Sequence, residues 1–327
     1  MLWGRGSRIA LVVAACGTML LGCQSTKPNW YSNPQTNDSQ YIYAVAQART
    51  LSHAKKIAVN NINESLWTQV DSSSYIRETL RETNNKGSFN SLVDNKINTR
   101  TESLTLNGVE FMQLEENDLG AFVQVRVKKS LVAQQLKKEL EEIDFKARTE
   151  LNNLKSQDKL VWWLDNRSAF QLKHNASVRT SMLVPLDGTY KFVTTSLESY
   201  IDAYEKTGNN LYIRLSSDVQ SKQSLQFLGE QLSEFNIATS MSKRHEQTHI
   251  VYVSSERRRN KVADAYISTL VSKIIISNTK NQVISRSEII STGNSVTSYK
   301  YADEGAARHF DEQVREKGVW GALGLVN

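Results

Sequence analysis

The sequence predicts an α+β fold built from two small α/β domains joined by a helix, with a polar tether in front. Three observations carry this. Residues 41–46 and 121–128 alternate their side chains at period two, the signature of strands. From Ser52 onward Ala54, Ile57, Ala58, Ile62 and Leu66 recur at steps of three and four, which gives a helix one apolar face. Beyond residue 158 the chain repeats the mixture with its own alternating strands and apolar-faced helices, so a second core is expected.

The N-terminus comes first in order. Arg5 and Arg8 form a basic head, and residues 9–21 are an apolar run. That run is too short for a permanent membrane helix, which needs ~20 apolar residues, but it suits the core of a secretory signal. Leu20-Leu21-Gly22-Cys23 closes it and resembles the lipobox of bacterial lipoproteins. The resemblance implies that residues 1–22 are a signal peptide, that Cys23 receives a diacylglycerol and further acyl chains such as palmitate, and that Cys23 becomes the mature N-terminus. Gln24 is not the aspartate that retains such proteins in the inner membrane, so the resemblance implies an outer-membrane anchor facing the periplasm. Cys16, the other cysteine, lies in the segment to be removed, so no disulfide is available and stability must come from packed cores. Removal of Arg5 and Arg8 lowers the formal net charge of +6 by two. The remaining charges are interspersed except at Arg257-Arg258-Arg259 with Lys261, which is expected to be a solvated turn, with a contact to anionic lipid heads as the lesser alternative. Nucleic acid is not an expected partner in that compartment.

Residues 23–40 are rich in Asn, Ser and Gln and hold Pro28 and Pro34, which marks a tether, with Trp30 and Tyr31 able to dock on the body. The first domain is expected over residues 41–157. After the strand at 41–46 and the helix from Ser52, a weaker helical pattern covers residues 74–93. Strands follow at 97–106, 109–115 and 121–128, with Asn107-Gly108 as a hairpin turn between the first two. In the last, Val123, Val125 and Val127 share one face. Pro28-Asn29-Trp30, the strand at 41–46, the alanine-bearing helix and Val123-Gln124-Val125-Arg126-Val127 resemble the LPP20 lipoproteins over about residues 28–140. That family includes a flagellar-assembly lipoprotein. The resemblance implies an outer-membrane, non-enzymatic accessory role and brings no catalytic residues.

The joining helix is expected at residues 130–155, with Ala133, Leu136, Leu140, Ile143, Ala147, Leu151 and Leu154 as its stripe. A stutter after Ile143 argues against a regular coiled coil, so packing within its own domain is the main expectation and self-association the alternative. The second domain, residues 158–327, opens a helix at Thr195-Ser196-Leu197-Glu198, a capping-box pattern, and alternates as a strand at 211–215. Asp218 can cap a helix bearing Leu225, Leu228, Leu232 and Phe235. Strands at 237–241, 250–253, 266–276 and 283–290 precede a closing helix with Ala302, Ala306, Phe310 and Val314. This half weakly resembles the periplasmic domains of other envelope lipoproteins. The apolar tail around Trp320 either docks in a groove of its own domain or inserts into a partner.

One motif bears on chemistry. His245-Glu246-Gln247-Thr248-His249 fits the His-Glu-x-x-His of zinc peptidases, in which a helix presents both imidazoles and the glutamate activates water. Polar and basic residues precede it and an alternating strand follows, so the five residues are expected to span a turn. A third ligand is missing where that chemistry would need one. His53, His174 and His309 stand alone. Neither a nucleophile elbow nor a phosphate-binding glycine loop occurs, and no cofactor is implied. The expectation is a binding protein whose Cys23 carries lipid and whose Trp320, Trp162 and Trp163 are the candidate partner contacts, with the zinc peptidase as the rival.

Overall fold

The structure, a computed structural model, describes residues 26–72, 104–190 and 195–325. The signal segment, Cys23, the helical pattern at 74–93 and most of the strand expected at 97–106 lie outside the described residues. Both helices and sheets are present, so the chain is α+β. Two compact units form: residues 1–140 with 176–192, and residues 141–175 with 193–327.

In the first unit a short helix, α1 (Asn29–Ser32), precedes β1 (Tyr41–Ala48) and the long helix α2 (Leu51–Ser72). The hairpin β2 (Glu110–Asn117) and β3 (Gly120–Lys128) completes an antiparallel sheet of order β1-β3-β2. The alternation read from the sequence explains the layering. Val123, Val125 and Val127 are fully buried, and α2, which lies over β1 and β3, buries Ala54, Ala58, Ile62 and Leu66. Each large aliphatic chain so buried contributes roughly 1.5–3 kcal/mol. The opposite face is closed in part by Tyr31, whose ring meets Phe122 edge-on at 4.9 Å. Gly120 sits at φ +119°, and a Cβ there would come within 2.5 Å of the Ala48 carbonyl, so the β2–β3 turn requires glycine.

Of the strand expected at 97–106 before the Asn107-Gly108 turn, only residues 104–106 are described, and they are not a strand. Leu104 and Leu106 are buried, Asn63 Nδ2 of α2 donates to the Leu104 carbonyl at 3.1 Å, and Gln135 Nε2 donates to that of Thr105 at 2.8 Å. Side-chain amides thus take the backbone groups that a hairpin ladder would have used.

Helix α3 (Lys129–Asn153) follows directly. In this unit its Glu139 pairs with Arg179 at 2.7 Å and its Lys137 with Asp187 at 2.6 Å. Val132, Leu136 and Leu140 are buried.

The second unit contains α4 (Lys159–Asp165), part of α5 (Ala169–Leu183), α6 (Thr195–Asn209), β4 (Tyr212–Ser217), α7 (Lys222–Ser233), β5 (Ala238–Ser240), β6 (His249–Val262), β7 (Ala265–Asn278), β8 (Val283–Ser295), α8 (Tyr299–Lys317) and α9 (Val319–Ala322). Its sheet runs β5-β4-β6-β7-β8, with β5, β4 and β6 parallel and β6, β7 and β8 antiparallel. Helices α7 and α8 bury Leu225, Leu228, Leu232, Phe310 and Val314 in one core with Ile213, Val251, Val253, Ile274 and Ile276, and α8 also buries Ala302 and Ala306. Asp218 does not cap α7, whose N-cap is Ser221; its Oδ1 accepts the Ser221 N–H in the turn before the helix, while Oδ2 takes that of Ser255 in β6. Against β8, α8 comes so close at Gly293 that a Cβ there would fall on Ala302 O and Ala306 N.

Candidate functional site

The tryptophans singled out in the sequence converge within the second unit. Asp158 starts α4 by accepting the N–H groups of Leu160 and Val161 at 2.9 and 3.4 Å, a helix cap that fixes the following turn. Trp162 is fully buried, and its Nε1 donates to the Glu150 carbonyl at 2.8 Å. Asn166 Nδ2 donates to the Trp162 carbonyl at 2.8 Å and Asn166 Oδ1 accepts the Tyr200 hydroxyl at 2.7 Å, so a small polar network closes under the ring. Burial, assisted by the negative charge of Glu150, pushes the Tyr200 hydroxyl up to about 12, and it stays a donor.

Trp163 points the other way. It stacks on Tyr204 at 5.9 Å and 10° and meets Trp320 edge-on at 6.1 Å. Trp320 in turn contacts Phe235 at 5.6 Å, and Tyr204 contacts Phe170 at 5.9 Å. Five rings therefore run continuously from Phe170, 49% exposed, through a buried centre to Phe235, 45% exposed. Trp320 itself is only 4% exposed. The tail that carries it is held on β8: Ser285 Oγ donates to the Leu323 carbonyl at 2.7 Å and Ser287 Oγ to that of Ala322 at 2.5 Å. Of the two expectations for the tail, docking in its own unit is the arrangement seen. A partner contact through Trp320 would require the tail to leave this seat.

Sequence reasoning did not find Tyr200, Asn166, Tyr204 or Phe170. The signal available was helical spacing: Tyr200 and Tyr204 stand four apart on α6, so both face α4.

The His-Glu-x-x-His residues fall where the sequence placed them, on a turn running into β6. His245 and Glu246 are exposed, whereas His249 is buried, with Nε2 3.0 Å from Asp158 Oδ1 and Nδ1 3.0 Å from Thr248 Oγ1. The two imidazoles share no helix face, and the second is already engaged on both nitrogens. Among the described residues, no group of three or more His, Cys, Asp and Glu side chains is placed to hold a metal ion.

The triple-arginine block requires a correction. It is not a turn but part of β6, with Arg257, Arg258 and Arg259 opposite Leu270, Thr269 and Ser268 of β7. Asp303 on α8 takes Arg257 at 3.1 Å and Arg259 at 2.6 Å, and accepts the Ser268 hydroxyl at 2.6 Å. Burial pushes the Asp303 carboxyl up, but these donors outweigh it and hold the group below its ordinary value. Arg258 pairs with Glu256 at 2.8 Å.

Against known proteins, the family model of the LPP20 lipoproteins matches residues 28–128. That segment holds α1 through β3, so the resemblance read from its short motifs is shown over the first unit's sheet and helix. The crystal structure of the secreted protein HP1454 from Helicobacter pylori is similar over 88% of this chain and 100% of its own, with a TM-score of 0.51 and 16% identity, which speaks to fold alone. A minor lipoprotein from Acinetobacter baumannii covers 34% of this chain and 90% of its own at 9% identity, and its TM-score of 0.28 carries no argument. No curated protein matches the chain significantly. No helix among the described residues is long and apolar enough to cross a membrane.

Proposed function

We propose that this chain is a non-catalytic lipoprotein, anchored in the outer membrane through lipid on Cys23 and facing the periplasm. There its two units act as accessory binding modules in envelope or flagellar assembly. The observation that carries the reading is the match of residues 28–128 to the LPP20 lipoproteins, directly behind a lipobox-like Leu20-Leu21-Gly22-Cys23. Each buried acyl CH₂ contributes ~0.8 kcal/mol, so two or three chains suffice to hold a protein of this size at a membrane.

The test is fractionation. Cys23→Ser is expected to leave the precursor uncleaved by the lipoprotein peptidase or to release a soluble species, while the parent protein sediments with outer membranes. Normal outer-membrane fractionation of Cys23→Ser would sink the anchoring claim. Affinity purification of the lipidated protein from native membranes then reads out its partners.

A further inference from the structure

Among the described residues β2 is bonded to β3 alone, as the outer strand of the first unit's sheet, and Glu110 through Glu116 are all exposed. An outer strand presents unpaired N–H and C=O groups, and proteins usually blunt such edges with charge, bulges or a covering element. β2 carries glutamates and a bulge, yet Phe111, Met112 and Leu114 on it are still 44%, 41% and 46% exposed. A bulge at Met112 interrupts the ladder, after which residues 113–117 run in unbroken register with β3.

The two sides of this edge differ in chemistry. Phe111 and Leu114 lie opposite Val125 and Val123, on the side that α2 covers over β1 and β3, and Lys55 of α2 reaches over the Phe111 ring at 5.1 Å. Glu115 lies opposite Phe122 on the other side. Glu110 there is paired with Arg126, but Glu115 and Glu116 make no ion pair among the described residues. A second copy is a poor occupant, because β2 carries three glutamates and no cation in its eight residues, so two copies would set acid against acid.

We propose that β2 is an acceptor edge for an extended segment of another protein, added as a fourth strand. Its alternate side chains are apolar beside Phe111 and Leu114 and basic beside Glu115, with Glu116 attracting further positive charge. Main-chain hydrogen bonds supply affinity in this mode and the alternate side chains supply selectivity. The inference does not depend on where the chain is anchored.

The test uses the full chain in detergent and a synthetic peptide alternating valine and lysine, with amide hydrogen exchange over residues 110–117 as the readout. The peptide is expected to slow exchange there, and the Glu115→Lys/Glu116→Lys variant to weaken it roughly tenfold. A peptide alternating valine and glutamate, and the lysine peptide N-methylated at every second residue, should both fail to protect β2. Equal protection by either control peptide would overturn the proposal, as would concentration-dependent protection of β2 in the absence of peptide, which would make a second copy the occupant. The control peptides act on the unmodified chain, so the outcome does not rest on the variant's folding.

Discussion

His249 and Asp158, 91 residues apart in sequence, meet at 3.0 Å from Nε2 to Oδ1. The contact ties the first turn of α4 to the first residue of β6, and the same carboxylate caps the helix. Burial pushes the Asp158 carboxyl up, yet the hydrogen bond to His249 and those from the Leu160 and Val161 N–H groups prevail, so it is held below its ordinary value. A motif that in sequence suggested metal chemistry thus supplies a structural clasp.

Asp158→Ala should destabilise the second unit by about 2–4 kcal/mol, combining a lost helix cap with a buried imidazole left unpaired. Asp158→Asn, which can still cap, should cost less. The sign of the pH effect follows from the lowered value. The stabilisation is complete above the ordinary carboxylate range of ~4 and disappears as pH falls through the lower folded value. Urea denaturation followed by tryptophan fluorescence, at neutral and at acid pH, would show a smaller difference between parent and Asp158→Ala in acid. A difference independent of pH would contradict the assignment.

Trp320→Ala should cost roughly 3–5 kcal/mol, as for large aromatics removed from packed interiors, because its ring bridges Trp163 and Phe235. Calorimetry on the purified chain checks this. An unchanged melting temperature together with loss of a co-purifying envelope protein would instead mean that the tail works away from its seat.

Gly293→Ala should be the more damaging of two glycine substitutions at the β8–α8 contact. Its Cβ would fall on backbone atoms of α8, whereas a Cβ on Gly305 would meet Gly293 Cα at 3.2 Å, a gap that a small shift can open. Overpacking of this kind costs typically 1–3 kcal/mol, and backbone obstacles place Gly293→Ala at or above the upper end. Comparable denaturation midpoints for the two variants would show that α8 shifts freely.

Where one local pattern decides the structure, the sequence was readable. The apolar positions of α2 and α8 sit at helical spacing, and all but Ile57 of those singled out are buried. Helix α5 was missed because Ala169, Ala176, Val178, Met182 and Leu183, its buried residues, do not form one stripe. The arginine block misled for a different reason. Backbone ladders accept any side chain, and the acid that makes Arg259 tolerable there, Asp303, lies 44 residues away. The aromatic run was legible at Trp162, Trp163 and Trp320 as residues of interest, but its order depends on which helix faces which strand.

The mixed sheet of the second unit has a consequence for how the chain assembles. β6 joins two kinds of neighbour: an antiparallel meander with β7 and β8, whose partners follow directly in sequence, and a parallel pairing with β4, which must wait for α7 and β5 to cross over. Contacts close in sequence form fastest because less chain entropy is lost in closing them. The meander, with the helix bearing Asp303 that follows it directly, is therefore expected to condense first and to serve as the template for the N-terminal strands of the unit.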